Sequence, residues 1–175
     1  KELQVLVAKM GMTNSRFKID LIKKDDFFKN GTDTIEFMFS ANRGSDFKLL
    51  KKVVSGGELS RIILSMKSIL ARYKKLPTII FDEIDSGISG IISNGLADVM
   101  YEMSKKMQVF TITHSPQIAS KGNIHIGIYK QDEDDSTVTK LRILNNSERI
   151  KEIAFMLSGK KITKSALEHA KQLLN

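Results

Sequence analysis

Three clusters of residues carry the chemistry this chain could perform. The first is Ser55-Gly56-Gly57-Glu58-Leu59-Ser60-Arg61, a Gly-rich turn entering a helix. Backbone N–H groups of Gly56 and Gly57, with the start of the following helix, form a positive nest for a phosphate. Ser55 adds a hydroxyl donor, and glycine lets the backbone approach closely. The same residues also read as a serine-capped helix after a Gly-Gly turn, with no ligand at all. The second cluster is Thr78-Ile79-Ile80-Phe81-Asp82-Glu83-Ile84-Asp85. Its apolar and β-branched start predicts a buried parallel strand. Asp82 and Glu83 then lie where the strand emerges, at the carboxyl edge where α/β sheets bind ligands. One carboxylate there can hold Mg²⁺, directly or through water. Its neighbour can polarise or deprotonate an attacking water. A solvated acidic loop is the plainer alternative, and two carboxylates set directly against a fully apolar strand weigh against it. The third cluster is Val109-Phe110-Thr111-Ile112-Thr113, a second apolar strand closed by His114. A histidine at this place can hydrogen-bond a terminal phosphate and sense its loss. Alone, His114 reads as structural; it gains meaning from the other two clusters.

The elements that must position these residues follow from periodicity. Leu3, Leu6, Val7 and Met10 predict a helix over residues 1–12, ended by Gly11. The chain begins inside that helix without an initiator methionine, as a fragment of something longer would. Alternation predicts strands over 16–23 and 34–40, joined across an Asn30-Gly31 turn signal. A polar loop is expected over 41–54. A helix from Glu58 to about Lys74 presents Leu59, Ile62, Ile63, Met66, Ile69, Leu70 and Tyr73 as its apolar face. Pro77 marks the turn into the Asp82 strand, and a Gly-containing loop over 86–90 leads to a helix ending near Lys105. After the His114 strand comes a short helix over 116–120, then a hairpin of 124–129 with 137–143 around an acidic tip, Asp132 to Asp135. Ser147 and Thr163 are the expected caps of two last helices, with Gly159 between them.

Composition bounds the reading. At 175 residues, 41% hydrophobic and 27% charged, the chain is long enough for one domain with a real core. The net charge is +8. That tolerates an anionic partner such as nucleic acid without requiring one, because the lysines are scattered pairs and no aromatics interleave with them. There are no cysteines and the three histidines are not clustered, which excludes disulfides and thiolate metal sites. No apolar run approaches a membrane span and no signal peptide opens the sequence, so a cytoplasmic protein is expected.

In this order the three clusters resemble the signature motif, Walker B strand and switch histidine of ABC-type ATPases. The phosphate-wrapping Walker A loop, G-x-x-x-x-G-K-[ST], is absent. At Gly159-Lys160, the one Gly-Lys pair, Ala154 stands where the first glycine is needed. Transporter ATPases carry all of these motifs in one domain. SMC-type ATPases split them between an N-terminal Walker A lobe and a C-terminal lobe, with a long coiled coil between. Within that group the chain is most similar to the RecN family of bacterial DNA repair proteins. The similarity is carried by Ile35-Glu36-Phe37-Met38-Phe39-Ser40-Ala41-Asn42 with Gly44, by the signature stretch, and by Ile80-Phe81-Asp82-Glu83-Ile84-Asp85-Ser86-Gly87-Ile88-Ser89-Gly90. Thr113-His114-Ser115-Pro116-Gln117-Ile118-Ala119 and the tail Glu152-Ile153-Ala154 with Met156-Leu157, Gly159 and Lys161-Ile162-Thr163 add to it. Ser115 departs from the larger apolar residue expected there, and Ile91-Ile92-Ser93-Asn94 lacks a basic residue expected of the family.

The resemblance implies an α/β fold: the C-terminal lobe of an ABC/SMC-type P-loop ATPase head. Its mixed, mostly parallel sheet would be flanked by helices and preceded by an antiparallel strand pair. Residues 1–12 would be the end of a coiled-coil helix and 13–175 the lobe. ATP and Mg²⁺ are the implied cofactors. Asp82 would serve the metal, Glu83 would be the general base and His114 would contact the γ-phosphate. Ser55, Gly56, Gly57 and Glu58 would face nucleotide held by a second head, and residues Asp85 to Ser89, with Asp85 and Ser86 at its start, would form the loop crossing to it. The implied partners are an N-terminal Walker A lobe of the same protein, a second copy joined through ATP-sandwiched heads, and DNA, with no membrane. The implied activity is ATP hydrolysis in DNA double-strand-break repair and recombination, near the nucleoid, with the fragment inactive alone. Three alternatives stand beside this one. Another split-head ATPase of the SMC, Rad50 or RecF kind is one. A transporter ATPase fragment is the second, against which Glu58 stands where transporters carry glutamine. A non-catalytic DNA-binding or scaffold module is the third, against which the presence of Glu83 argues.

Overall fold

Helical spacing of apolar residues gives α1 (Glu2–Lys9), which buries Val7 and ends as Gly11 turns left-handed at φ 84. Alternation gives β1 (Arg16–Phe28) and β2 (Gly31–Ser40), paired antiparallel with Phe17 opposite Phe39, Ile19 opposite Phe37 and Leu21 opposite Ile35. The computed structural model describes residues 1–29, 31–85, 87–88, 90–133 and 136–175. Both strands run further toward the hairpin tip than alternation predicts, with a register irregularity between Lys23 and Phe28. The backbone ladder does not need alternating side chains, so the strand continues through the charged run Lys23 to Asp26, with pairing at Lys23 and again at Phe28. Asn30 of the predicted turn lies outside the described residues. The segment expected as a loop holds β3 (Lys48–Leu49), paired to Met38 and Phe39, and a single helical turn, α2 (Leu50–Val53). Both are too short for periodicity to register.

The helix α3 (Gly56–Lys74) starts two residues earlier than predicted. Ser55 and Glu58 form a reciprocal capping box, which draws Gly56 and Gly57 into the first turn rather than leaving them as a turn before it. Its buried residues are Ile62, Leu64, Ser65, Ser68 and Ala71. Leu59, Ile63, Leu70 and Tyr73, all expected on the apolar face, are exposed. The helix packs on α1. Arg61 ties the two by donating from Nη1 to the Met10 carbonyl at 2.8 Å, and Arg72 pairs with Glu2. These elements make up one compact unit, Lys1–Pro77 with Gly87 and Ile88.

The second compact unit holds Thr78–Asp85 and the chain from Gly90 onward. There β4 (Thr78–Asp82) lies parallel to β5 (Gln108–Ile112), in register from Thr78 opposite Gln108 to Asp82 opposite Ile112. The crossover is α4 (Gly90–Ser104), which buries Leu96, Ala97, Val99, Met100 and Met103. The predicted burial of β4 holds for Phe81 but not for Ile80, which is 63% exposed, with Phe110 and Ile112 also open on β5. One face of the pair is therefore open among the described residues. A short helix, α5 (Pro116–Ser120), follows β5. The hairpin of β6 (Ile126–Glu133) and β7 (Ser136–Ile143) forms with Ile126 opposite Ile143 and Ile128 opposite Leu141. Asp134 and Asp135 of its acidic tip lie outside the described residues.

The last two helices are α6 (Asn146–Ser158) and α7 (Lys164–Leu174), packed together around Ile153, Ala154, Ala166 and Ala170. Thr163 caps α7 as predicted, accepting from the Ala166 amide at 3.1 Å. The cap of α6 is Asn145 rather than Ser147. Asn145 has Glu148 three residues on and closes a capping box with it, whereas Ser147 already lies inside the first turn. Among the described residues no helix is long and apolar enough to cross a membrane.

Candidate functional site

The signature residues lie in the first unit. Ser55 is the N-cap of α3, with its Oγ accepting the Glu58 amide at 3.4 Å. Gly56 and Gly57 occupy the first helical turn, where backbone N–H groups have no intrahelical partner. A Cβ placed on either glycine would meet nothing within 4 Å, and neither has a positive φ. Among the described residues neither turn geometry nor packing therefore requires glycine, although glycine costs a helix up to ~1 kcal/mol relative to alanine. What two glycines leave is bare backbone open to close approach from outside, which fits a phosphate oxygen. Beside them a polar pocket of about 150 Å³ is lined by the segment Gly11 to Asn14 that follows α1, and by Ala41, Asn42, Glu58 and Arg61. Ser40 shapes this region, its Oγ lying 3.1 Å from the Asn42 carbonyl and 3.0 Å from that of Ser45.

Asp82, Glu83, Asp85 and His114 lie in the second unit, and parallel pairing brings them to one edge. Because β4 and β5 run the same way, their carboxyl ends open side by side, with Asp82 opposite Ile112. Glu83 follows immediately, its N–H donating to the Ile112 carbonyl at 3.0 Å. Its φ is +46, a left-handed conformation uncommon for a residue with a Cβ. Such strain persists where the surroundings over-determine it, and it clusters at functional sites. Asp82, Glu83 and His114 are all exposed at this edge. Asp85 is not: it is buried, and its Oδ2 accepts from Thr113 Oγ1 at 2.5 Å and from the Ser115 amide at 3.2 Å. Ser86, expected in the same loop, lies outside the described residues.

Among the described residues no group of three or more acidic, histidine or cysteine side chains gathers as a metal cage. Mg²⁺ that travels with a nucleotide needs only one or two carboxylates beside phosphate oxygens and water. Asp82 at the strand end fits that smaller role. The partners of Asp85, Thr113 and Ser115, were not singled out as site residues from sequence. Their only signal was adjacency to His114, and the capping partner Glu58 was legible as Ser-x-x-Glu before an apolar run.

The fold is that of SMC ATPase heads. An SMC head domain with coiled coil and joint from Pyrococcus yayanosii superposes with a TM-score of 0.71 over 91% of this chain and 28% of that one, at 22% identity. A structure from work on ATP-driven dimerisation and DNA-stimulated activation of SMC ATPases gives a TM-score of 0.63 over 91% of both chains, again at 22% identity. Sequence narrows the class: the chain is RecN-like. The DNA repair protein RecN of Rickettsia typhi is 41% identical over 97% of this chain, and that of Bacillus subtilis 34% identical over 99%. RecN of Deinococcus radiodurans is 37% identical over 98%. The chain spans about 30% of the length of these curated relatives. No protein-family model matches it.

Proposed function

We propose that this chain is the C-terminal half of an ATP-hydrolysing head in a RecN-like protein of DNA double-strand-break repair and recombination. The observation that carries the reading is the edge where Asp82, the left-handed Glu83 and His114 open together at the carboxyl ends of two parallel strands. Glu83 holds a carboxylate where it can take a proton from water attacking a γ-phosphate. His114 offers an exposed imidazole to the same phosphate. Asp82 would hold Mg²⁺, which would supply positive charge against the developing charge of the phosphate.

The remaining contacts come from outside the chain. A Walker A lobe of the same protein would supply the main phosphate cradle. Ser55, Gly56, Gly57 and Glu58 would present their bare helix start to nucleotide held by a second head, with Asp85 and Ser86 in the loop nearest that partner. Such an ATP-sandwiched homodimer, acting on DNA in the cytoplasm near the nucleoid, would continue through α1 into a coiled coil. In this reading the isolated chain has no meaningful ATPase activity.

The test is Glu83→Gln in the full-length protein. The amide keeps the shape of the carboxylate but cannot accept a proton, so hydrolysis should fall about 10²–10⁴-fold while nucleotide binding persists. Hydrolysis at the wild-type rate would exclude Glu83 as the base and with it this reading.

A further inference from the structure

We propose that Asp85 is a positioning residue of the nucleotide site: its buried carboxylate joins the loop carrying Glu83 to the loop carrying His114 by accepting from the residues on either side of that histidine. The proposal rests on the ATPase reading above and deepens it.

Asp85 is 3% exposed, so it is poorly placed to touch a ligand itself. Its Oδ2 accepts from Thr113 Oγ1 at 2.5 Å and from the Ser115 amide at 3.2 Å. The Ser115 amide also lies 3.0 Å from Thr113 Oγ1. These three bonds close a ring, Asp85–Thr113–Ser115, that ties down the backbone on both sides of His114. The imidazole projects, exposed, from a segment clamped on both sides. A second tie, the Glu83 amide to the Ile112 carbonyl at 3.0 Å, holds the same two loops one step closer to the sheet. Together they fix the two groups expected to act on water and on phosphate.

The arrangement is costly. Asp85 Oδ1 is buried with no hydrogen-bond partner among the described residues. A half-satisfied buried carboxylate destabilises a fold, and an apolar residue of similar size would pack without that penalty. The bridge it makes is specific to the two loops of the site. Thr113 and Ser115 are the natural donors because a hydroxyl and an amide so close to His114 act on its main chain and leave its ring free.

The experiment uses the full-length protein. Asp85→Ala and Thr113→Val should each lower kcat about 10- to 100-fold, the scale of a slightly misplaced catalytic group, with KM for ATP changed less than about threefold. Thr113→Ser keeps the hydroxyl and should hold kcat within about threefold of wild type, separating the hydrogen bond from general packing. In a His114→Ala background, Asp85→Ala should cost less than about a further threefold, because residues acting through one another are not additive. Rates are taken per folded nucleotide-binding site, so a fall in folded protein does not imitate the effect. Full multiplication of the Asp85 and His114 effects, or Thr113→Val at the wild-type kcat, would overturn the proposal. Glu83→Gln assayed alongside separates the two levels. If it too hydrolyses normally, the ATPase reading fails; if only Asp85 and Thr113 variants are silent, the positioning role alone fails.

Discussion

Ser55 and Glu58 satisfy each other: Glu58 Oε2 accepts from the Ser55 amide at 2.9 Å and lies 3.0 Å from Ser55 Oγ, while Oγ accepts the Glu58 amide at 3.4 Å. The serine hydroxyl that could serve a phosphate is therefore engaged within its own helix start, and an incoming anion must displace the Glu58 carboxylate from it. Ser55→Arg tests this end of the molecule. Loss of the cap should cost about 1 kcal/mol, leaving the full-length protein folded and able to bind ATP. ATP-dependent association of heads should disappear, because the arginine fills the open space above Gly56 and Gly57. Sedimentation in a Glu83→Gln background, which should trap the ATP-bound dimer, is the measurement. Persistent ATP-dependent dimers would reduce Ser55-Gly56-Gly57 to a capped helix start.

Glu83→Gly separates strain from chemistry. At φ +46 a residue with a Cβ pays on the order of 1 kcal/mol that glycine does not. Glycine also gives the unfolded chain more freedom, worth about 0.4–1 kcal/mol in the opposite direction. The net change in stability should be small, within about 1 kcal/mol, while hydrolysis by the full-length protein should be lost. Urea denaturation beside an ATPase assay checks both. A substitution that destabilises strongly would show that the Glu83 side chain serves packing rather than catalysis.

Acidification should weaken the fold through His125. Burial first, and the nearby Arg149 charge second, lower its pKa below the ordinary histidine value, while hydrogen bonding at Ala119 and Gly122 opposes the shift only in part. The unfolded chain then takes up the proton before the folded one. Above the ordinary value both forms are neutral and nothing is lost. As the pH falls below about 6.5, stability declines until the folded-state pKa is passed. Replacing His125 with asparagine removes this titration and should flatten the dependence of stability on pH between about 7 and 5. An unchanged slope in that window would assign it to other groups.

The legible parts of the fold were those where one physical signal dominated. Apolar alternation marked the β1–β2 pairing, and Thr163 before Ala166 marked the start of α7. The carboxyl-edge grouping of Asp82, Glu83 and His114 followed from two apolar strands in parallel. What stayed hidden depended on tertiary geometry. The buried face of α3 runs through Ser65, Ser68 and Ala71, small residues that hydrophobicity does not flag. Asp85 looked like a loop carboxylate because nothing in sequence shows that Thr113 and Ser115 meet it. The cap of α6 was one choice among adjacent polar residues, decided by the position of Glu148.

The uncovered apolar faces provide the last prediction. Leu21, 72% exposed, shares a face of β1–β2 with Ile19, Ile35 and Phe37, and Ile80 shares one of β4–β5 with Phe110 and Ile112. Contiguous apolar faces of this kind mark surfaces that another element covers. If the Walker A lobe covers them, each large side chain buried there is worth about 1.5–3 kcal/mol to the pairing. Leu21→Glu and Ile80→Glu should leave the stability of the 175-residue chain nearly unchanged, within about 0.5 kcal/mol, since both positions are already in water. Each should weaken binding to a separately produced Walker A lobe by at least about tenfold, since 1.4 kcal/mol corresponds to that factor. Calorimetric titration of one lobe with the other, wild type beside variants, gives the answer. Equal affinities for wild type and both glutamate variants would mean that these faces meet something other than the Walker A lobe.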